Sequence, residues 1–219
     1  MTEDELKELI EDCPTLYHMA SGNSWASIQE HGLLSTSELL KLVKADAETA
    51  RELEAEHRPN SVDISDDGSI VLRDQKPMSD NGLRRALPEN ISPSDWYSYL
   101  NNHVFFWLTE ERLERLVSAK SYRTTRRLIL ELDTEAVIAE YKKSIRLCPI
   151  NSGCTKPFPH PRDFSAFSAI ENYPYNAWSK KRKKGERVVE LLVENGVPNL
   201  VDYLNKAYLI MPDGSTENL

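Results

Sequence analysis

Two polar residues of types that do chemistry sit where an apolar strand would ordinarily carry valine or isoleucine. His18 lies in Leu16-Tyr17-His18-Met19, and Glu190 lies in Arg187-Val-Val-Glu190-Leu-Leu-Val193. A carboxylate held rigidly among aliphatic neighbours can stabilise positive charge developing in a transition state, or hold a substrate hydroxyl. Preorganisation of that kind is worth a few kcal/mol, by analogy with roughly 3–4 kcal/mol for one oxyanion-hole donor. Arg73 closes the run Ile70-Val-Leu-Arg73, and a guanidinium forks onto phosphate oxygens. Phe106 and Trp107 lie in His103-Val-Phe-Phe-Trp-Leu108, where one ring can wall a flat ligand.

Plainer readings stand beside these. A strand glutamate ordinarily faces solvent, and a strand histidine is ordinarily a satisfied core residue. Arg73 precedes Asp74 and could close a loop salt bridge, Phe105-Phe106-Trp107 reads as core, and Asn151-Ser152-Gly153 reads as a turn or as part of a cleft wall. Several standard sites are excluded. The chain has no G-x-x-x-x-G-K-[ST] loop, no G-x-G-x-x-G turn, no H-E-x-x-H helix and no G-x-S-x-G elbow. With only eight glycines it has little material for a glycine-rich phosphate cradle, so a nucleotide would be held by side chains and ordinary loops.

The elements that must position these residues can be read in order. Thr2-Glu-Asp-Glu5 is a capping-box pattern that opens a helix with Leu6, Leu9 and Ile10 on one face, and Pro14 ends it. Thr15 to Met19 reads as a strand. Ser24 is placed to cap a helix that runs to His31 and stops at Gly32. Residues 36–60 read as a charged helical insertion, 60–67 as a loop and 70–73 as a strand. Ser92-Pro93-Ser-Asp95 opens another helix, and 103–108 follows as an aromatic strand. Thr109 is placed to cap a helix to about Ser118. Residues 128–132, 145–148, 188–193 and 207–211 read as strands, with a helix over 134–141. The proline-rich stretch 149–186 lacks a period and reads as one long loop on the substrate side, of a length more often functional than idle. Strands and helices alternate irregularly, which predicts a single α+β domain over 1–219 with a mainly antiparallel sheet.

Net charge is −8 and the mean hydropathy is −0.53, which argues against a protein that coats nucleic acid. No run approaches the roughly 18 apolar residues of a membrane span. The acidic start Met1-Thr-Glu-Asp-Glu does not read as a secretory leader, and three scattered cysteines give neither a disulfide framework nor a zinc site. A cytoplasmic protein with no metal and no membrane partner is expected.

Three segments together resemble a known family. Tyr17-His18-Met-Ala-Ser-Gly-Asn-Ser24-Trp-Ala-Ser-Ile-Gln-Glu-His31-Gly-Leu33 resembles, without gaps, the opening Y-H-I-T-H-(x)-x-N-L-x-x-I-L-x-x-G-L of DarT-type ADP-ribosyltransferases. His103-Val-Phe-Phe-Trp-Leu108 resembles their aromatic strand Y-V-P-F-Y-F, and Arg187-Val-Val-Glu190-Leu-Leu-Val, with Val197-Pro198 beyond, resembles their C-terminal A-E-(x)-L-V…(V/I)-P. The match departs at Ser21, Ser24 and His103, where the family has His, Asn and Tyr. The runs Arg73-Asp-Gln-Lys-Pro-Met78 and Pro149-Ile-Asn-Ser-Gly153 resemble still more closely an uncharacterised bacterial family of that broad fold.

The resemblance implies a split, mainly antiparallel ADP-ribosyltransferase-like sheet and NAD as co-substrate. It implies Glu190 and Arg73 as catalytic residues, and an NAD site formed by Tyr17, His18, Met19, Ser24, Leu33, Arg73, His103, Phe106 and Trp107. Within it His18 would meet the adenosine ribose, Arg73 the pyrophosphate, and Phe106 or Trp107 the nicotinamide. The activity implied is mono-ADP-ribosyl transfer to a macromolecule, in a toxin or phage-defence setting with a possible neutralising antitoxin. Tyr175, Trp178, Lys180, Lys181 and Arg182 combine aromatic rings with positive charge just before Glu190, which points to single-stranded DNA or RNA as acceptor. The alternatives at this stage are a protein acceptor, a catalytically inactive binding module, a solvated loop in place of an acceptor site, and an RNA phosphotransferase on the same fold, against which the strand glutamate Glu190 counts.

Overall fold

The structure, a computed structural model, describes residues 1–219. Helix α1 (Glu3–Asp12) begins with the full capping box: the Glu5 N–H donates to the Thr2 hydroxyl, and the Thr2 N–H to the Glu5 carboxylate. After Pro14 come β1 (Thr15–Ser21), α2 (Trp25–His31), β2 (Leu33–Leu34), α3 (Thr36–Leu42) and α4 (Ala47–Ala55). The chain then forms β3 (Val62–Asp63), β4 (Val71–Leu72), α5 (Asp80–Ala86), α6 (Pro93–Asn101), β5 (His103–Trp107) and α7 (Glu110–Val117). It continues through β6 (Arg127–Asp133), α8 (Thr134–Tyr141), β7 (Ile145–Cys148), β8 (Ser168–Ala169) and α9 (Tyr175–Ser179). The last elements are β9 (Glu190–Glu194), β10 (Gly196–Val197), β11 (Leu204–Ile210) and β12 (Thr216–Asn218).

Eight strands form one sheet in the order β12-β11-β6-β1-β5-β9-β7-β8, and every neighbouring pair is antiparallel. The fold is therefore α+β with a large antiparallel sheet, as the irregular alternation predicts. Because side chains alternate along a strand, each strand divides its residues between two cores. Phe106, Leu191 and Val193 join Leu16, Leu130 and Leu9 of α1 on one face, while Leu192 and Cys148 meet Trp96 and Tyr97 of α6 on the other.

The sheet has one weak seam. β1 stays in register with β6 from Thr15–Asp133 to Ser21–Arg127 but shares with β5 only the pair Tyr17–Trp107. In an antiparallel ladder alternate residues turn their backbone polar groups to the same neighbour. Met19 and Phe105 are therefore the pair that would come next, and the divergence leaves their carbonyls without a strand partner. Side chains replace it: His18 Nδ1 lies 2.8 Å from the Phe105 oxygen, and Arg73 Nη1 donates to the Met19 oxygen at 2.9 Å. This satisfies the general demand of buried backbone groups for partners.

Several expectations need correction. Ser24 and Thr109 stand at the starts of α2 and α7, but neither hydroxyl makes a capping bond. Ser24 has φ −84 and ψ 1, outside the extended region from which an N-cap side chain reaches the next turn. The helical insertion ends at Ala55, and β3 lies within the stretch expected to be a loop. The segment 149–186 is not one loop. It holds β8, α9 and two short 3-10 turns, anchored by the individually buried Ile170, Tyr173 and Tyr175 in place of a periodic apolar face.

Beyond β9 the chain turns at Asn195 and pairs β10 with β2, Gly196 against Leu34 and Val197 against Leu33. Gly196 has φ +117, and a Cβ there would lie 2.3 Å from the Leu33 oxygen. We predict that Gly196→Ala destabilises the fold by about 1–3 kcal/mol through backbone strain alone, with the clash adding to it. Chemical denaturation measures this, and an unchanged midpoint would contradict it.

Candidate active site

The seam between β1 and β5 opens into a cavity of about 310 Å³, at the lower end of the range for small-molecule pockets. Tyr17, His18 and Met19 of β1 line it, with Ser24, Leu33, Arg73, His103, Phe106, Trp107 and Glu190. Every residue expected at the NAD site and both expected catalytic residues thus reach one space, although they come from six separate stretches of chain.

Glu190 begins β9, an interior strand between β5 and β7, where it stands opposite Trp107 on one side and Cys148 on the other. Only 3% of its surface is exposed. Its Oε2 accepts two hydrogen bonds from one residue, from the Ser152 N–H at 3.1 Å and the Ser152 hydroxyl at 2.7 Å. Burial pushes the carboxyl up from 4.5 to about 7, against the opposing pull of the Ser152 bonds and of the positive Arg112 and Arg162. Near neutrality this is a group that exchanges a proton readily, in keeping with a general acid–base or electrostatic role.

Burial lowers the His18 imidazole to about 4, so it is neutral at physiological pH. The Phe105 carbonyl can only accept, which puts the proton on Nδ1 and leaves Nε2 as a bare acceptor. His103 is arranged alike: Nδ1 donates to the Tyr99 carbonyl at 2.8 Å, the ring stacks on Tyr99, and burial lowers its pKa. Arg73 makes no salt bridge with Asp74. The Asp74 carboxylate takes the Tyr122 hydroxyl at 2.8 Å and Lys76 at 3.6 Å, while the Arg73 guanidinium lies 5.0 Å from the centre of the Tyr122 ring. Its charge is available to an anion in the cavity. Of the two rings proposed as a wall, Phe106 is 1% exposed within the main core, whereas Trp107 stands directly across from Glu190.

The expected acceptor residues do not line this cavity. Tyr175 is 1% exposed in the main core beneath Arg187, so it offers no face to a base. The ring of Trp178 carries Arg182 at 4.4 Å and Lys181 at 5.6 Å, so two cations of the basic run rest on the chain's own aromatic. Lys184 and Arg187 pair with Glu8, and Lys184 also with Asp12, which ties the run to α1. Lys180, Lys181 and Lys183 remain exposed.

Two site residues were not legible in the sequence. Ser152, read as a turn, is fully buried against Glu190. Arg58 lines the cavity at 6% exposure and donates to the carbonyls of Arg73 (2.9 Å) and Leu53 (2.6 Å) and to Asn101 Oδ1 (3.1 Å). Nothing in the residue type or spacing distinguishes such an arginine from a solvated one. No group of three or more His, Cys, Asp or Glu side chains is gathered to hold a metal ion, and no helix is long and apolar enough to cross a membrane.

The architecture and its cavity lie within a known family. The chain belongs to the family of unknown function DUF7002, which matches residues 14–204 and so includes every cavity residue named above. None of the curated proteins matches the chain.

The buried carboxyl gives a direct test. Its pKa is higher folded than unfolded, so its favourable contribution is complete below about pH 4.5 and is lost as pH rises through about 7. Relative to Glu190→Gln, the wild type should lose up to about 3 kcal/mol of stability between pH 4.5 and 8. Urea titrations of both proteins across that range measure it, and parallel pH profiles would contradict a buried, ionising Glu190.

Proposed function

We propose that this chain is a mono-ADP-ribosyltransferase that cleaves NAD and passes ADP-ribose to a macromolecular acceptor. The observation that carries the reading is the buried Glu190 facing the seam cavity, with a neutral His18 and an unpaired Arg73 on the same walls. The ordered resemblance to DarT-type enzymes supports it, as does the divergence of β1 from β5, which agrees with a split sheet.

The chemistry asked of these residues is modest. Ionised Glu190 stabilises the positive charge that grows on the ribose as the bond to nicotinamide breaks, and its free oxygen can hold a ribose hydroxyl. The acceptor's nucleophile then bonds to that carbon and loses a proton, for which a carboxylate with a pKa of about 7 is a suitable base. His18 Nε2 accepts from a hydroxyl of the adenosine ribose, Arg73 meets the pyrophosphate, and Trp107 walls the nicotinamide. The acceptor side is narrower than the sequence implied. Exposed lysines can still follow a nucleic-acid backbone, but Tyr175 and Trp178 do not form an open stacking platform.

Glu190→Gln should lower nicotinamide release by at least about a hundredfold, the scale of losing one electrostatic stabiliser. Activity within about threefold of wild type would reject the assignment. Arg73→Lys should chiefly raise the KM for NAD, because a point charge replaces a fork. For the acceptor, replacing Lys180, Lys181 and Lys183 by Gln should flatten the salt dependence of single-strand binding by roughly 0.7 in slope for each lost phosphate contact. An unchanged slope would turn the search to protein or small-molecule acceptors.

A further inference from the structure

The segment after β7 does more than close a loop. Ser152 spends all of its polar groups on a single arrangement: its N–H and hydroxyl donate to Glu190 Oε2, and its carbonyl accepts from Arg162 Nη1 at 3.1 Å and Trp96 Nε1 at 3.4 Å. Arg162 is 7% exposed and also donates to the Asn151 carbonyl at 3.4 Å and the His160 carbonyl at 3.1 Å, so one guanidinium ties the Asn151–Ser152 backbone to the chain at His160. The same loop is tied to the strip that carries Arg73. The Thr155 N–H donates to the Pro77 carbonyl at 3.0 Å, and Lys156 Nζ donates to the Lys76 carbonyl at 2.7 Å. Glu190 Oε1 takes part in none of these bonds.

We propose that Ser152, held from behind by Arg162 and Trp96, is the positioning residue for Glu190: it ties up Oε2, fixes the carboxylate plane and leaves Oε1 alone to face the cavity. This deepens the proposed transferase reading and rests on it for the reaction. The geometry itself concerns only the carboxylate. The loop is thereby hydrogen-bonded both to Glu190 and to the strip that follows Arg73. Around Glu190 the charged and titratable groups are Ser152's partner Arg162, Arg112 on α7, and the Cys148 thiol on β7, which burial keeps protonated. Arg112 and Arg162 favour the ionised form, and neither is among the hydrogen-bond donors to Glu190.

The test uses the full chain with Ser152→Ala, which loses only the hydroxyl, and Ser152→Gly, which loses the whole side chain; both keep the backbone N–H that donates to Glu190. Two readouts are needed: the pH profile of nicotinamide release from NAD, and an infrared titration of the Glu190 carboxyl, assigned by difference against Glu190→Gln. Loss of a hydrogen bond to a charged acceptor should move the carboxyl midpoint upward by roughly one pH unit. It should also lower kcat at pH 7 by roughly tenfold while leaving the KM for NAD within about twofold. A variant whose carboxyl midpoint and kcat both match wild type overturns the proposal, as does one in which KM alone changes. If the wild type leaves NAD intact, the transferase reading falls, and the infrared titration alone judges Ser152: an unmoved midpoint overturns its positioning role.

Discussion

Almost everything distinctive in this molecule depends on two neighbouring strands parting company after a single bridged pair. β1 and β5 meet at Tyr17–Trp107 and then diverge. Buried backbone groups stripped of ladder partners cost about 1–3 kcal/mol each if left unmet, so the seam survives only because side chains stand in for the missing strand. His18 takes the carbonyl of Phe105 and Arg73 that of Met19. His18 is thus a satisfied core histidine that also keeps one ring nitrogen toward the opening. Its Nδ1 serves the fold, which fixes the tautomer and turns Nε2 into an acceptor for whatever occupies the opening.

The same economy governs the charged groups. A buried carboxylate is expensive in a low-dielectric interior, and Glu190 is kept there by two bonds from one serine and by two arginines at longer range. The arrangement sacrifices stability above neutral pH for a carboxyl that ionises where cells live. That is an odd device for a purely structural strand and a natural one for a reacting group. Arg58, with its donors committed to the Arg73 carbonyl and to the ends of α4 and α6, supports the opposite wall of the cavity.

The sequence revealed the elements well because most are announced locally. The capping box at Thr2, the cap and proline at Ser92-Pro93 and the apolar runs of β5, β6, β7 and β9 all form where their chemistry puts them. The two polar residues that stand out in apolar strands, His18 and Glu190, both line the cavity. What could not be read was anything set by distant contacts. The burial of Tyr175 depends on α1, the covering of Trp178 depends on Arg182, and the role of Ser152 depends on a strand almost forty residues away. A basic run beside aromatics looks the same in a sequence whether the rings face solvent or the chain's own guanidinium groups.

On the proposed reading, NAD binds and reacts in the seam between β1 and β5. The most direct measurement is a crystal structure of Glu190→Gln soaked with NAD, the substitution slowing turnover while preserving shape. The account predicts the nicotinamide ring against Trp107, a ribose hydroxyl within hydrogen-bond distance of residue 190, and phosphate oxygens on Arg73, at roughly 2.7–3.2 Å. NAD seated elsewhere, or a seam left empty at millimolar NAD, would contradict it.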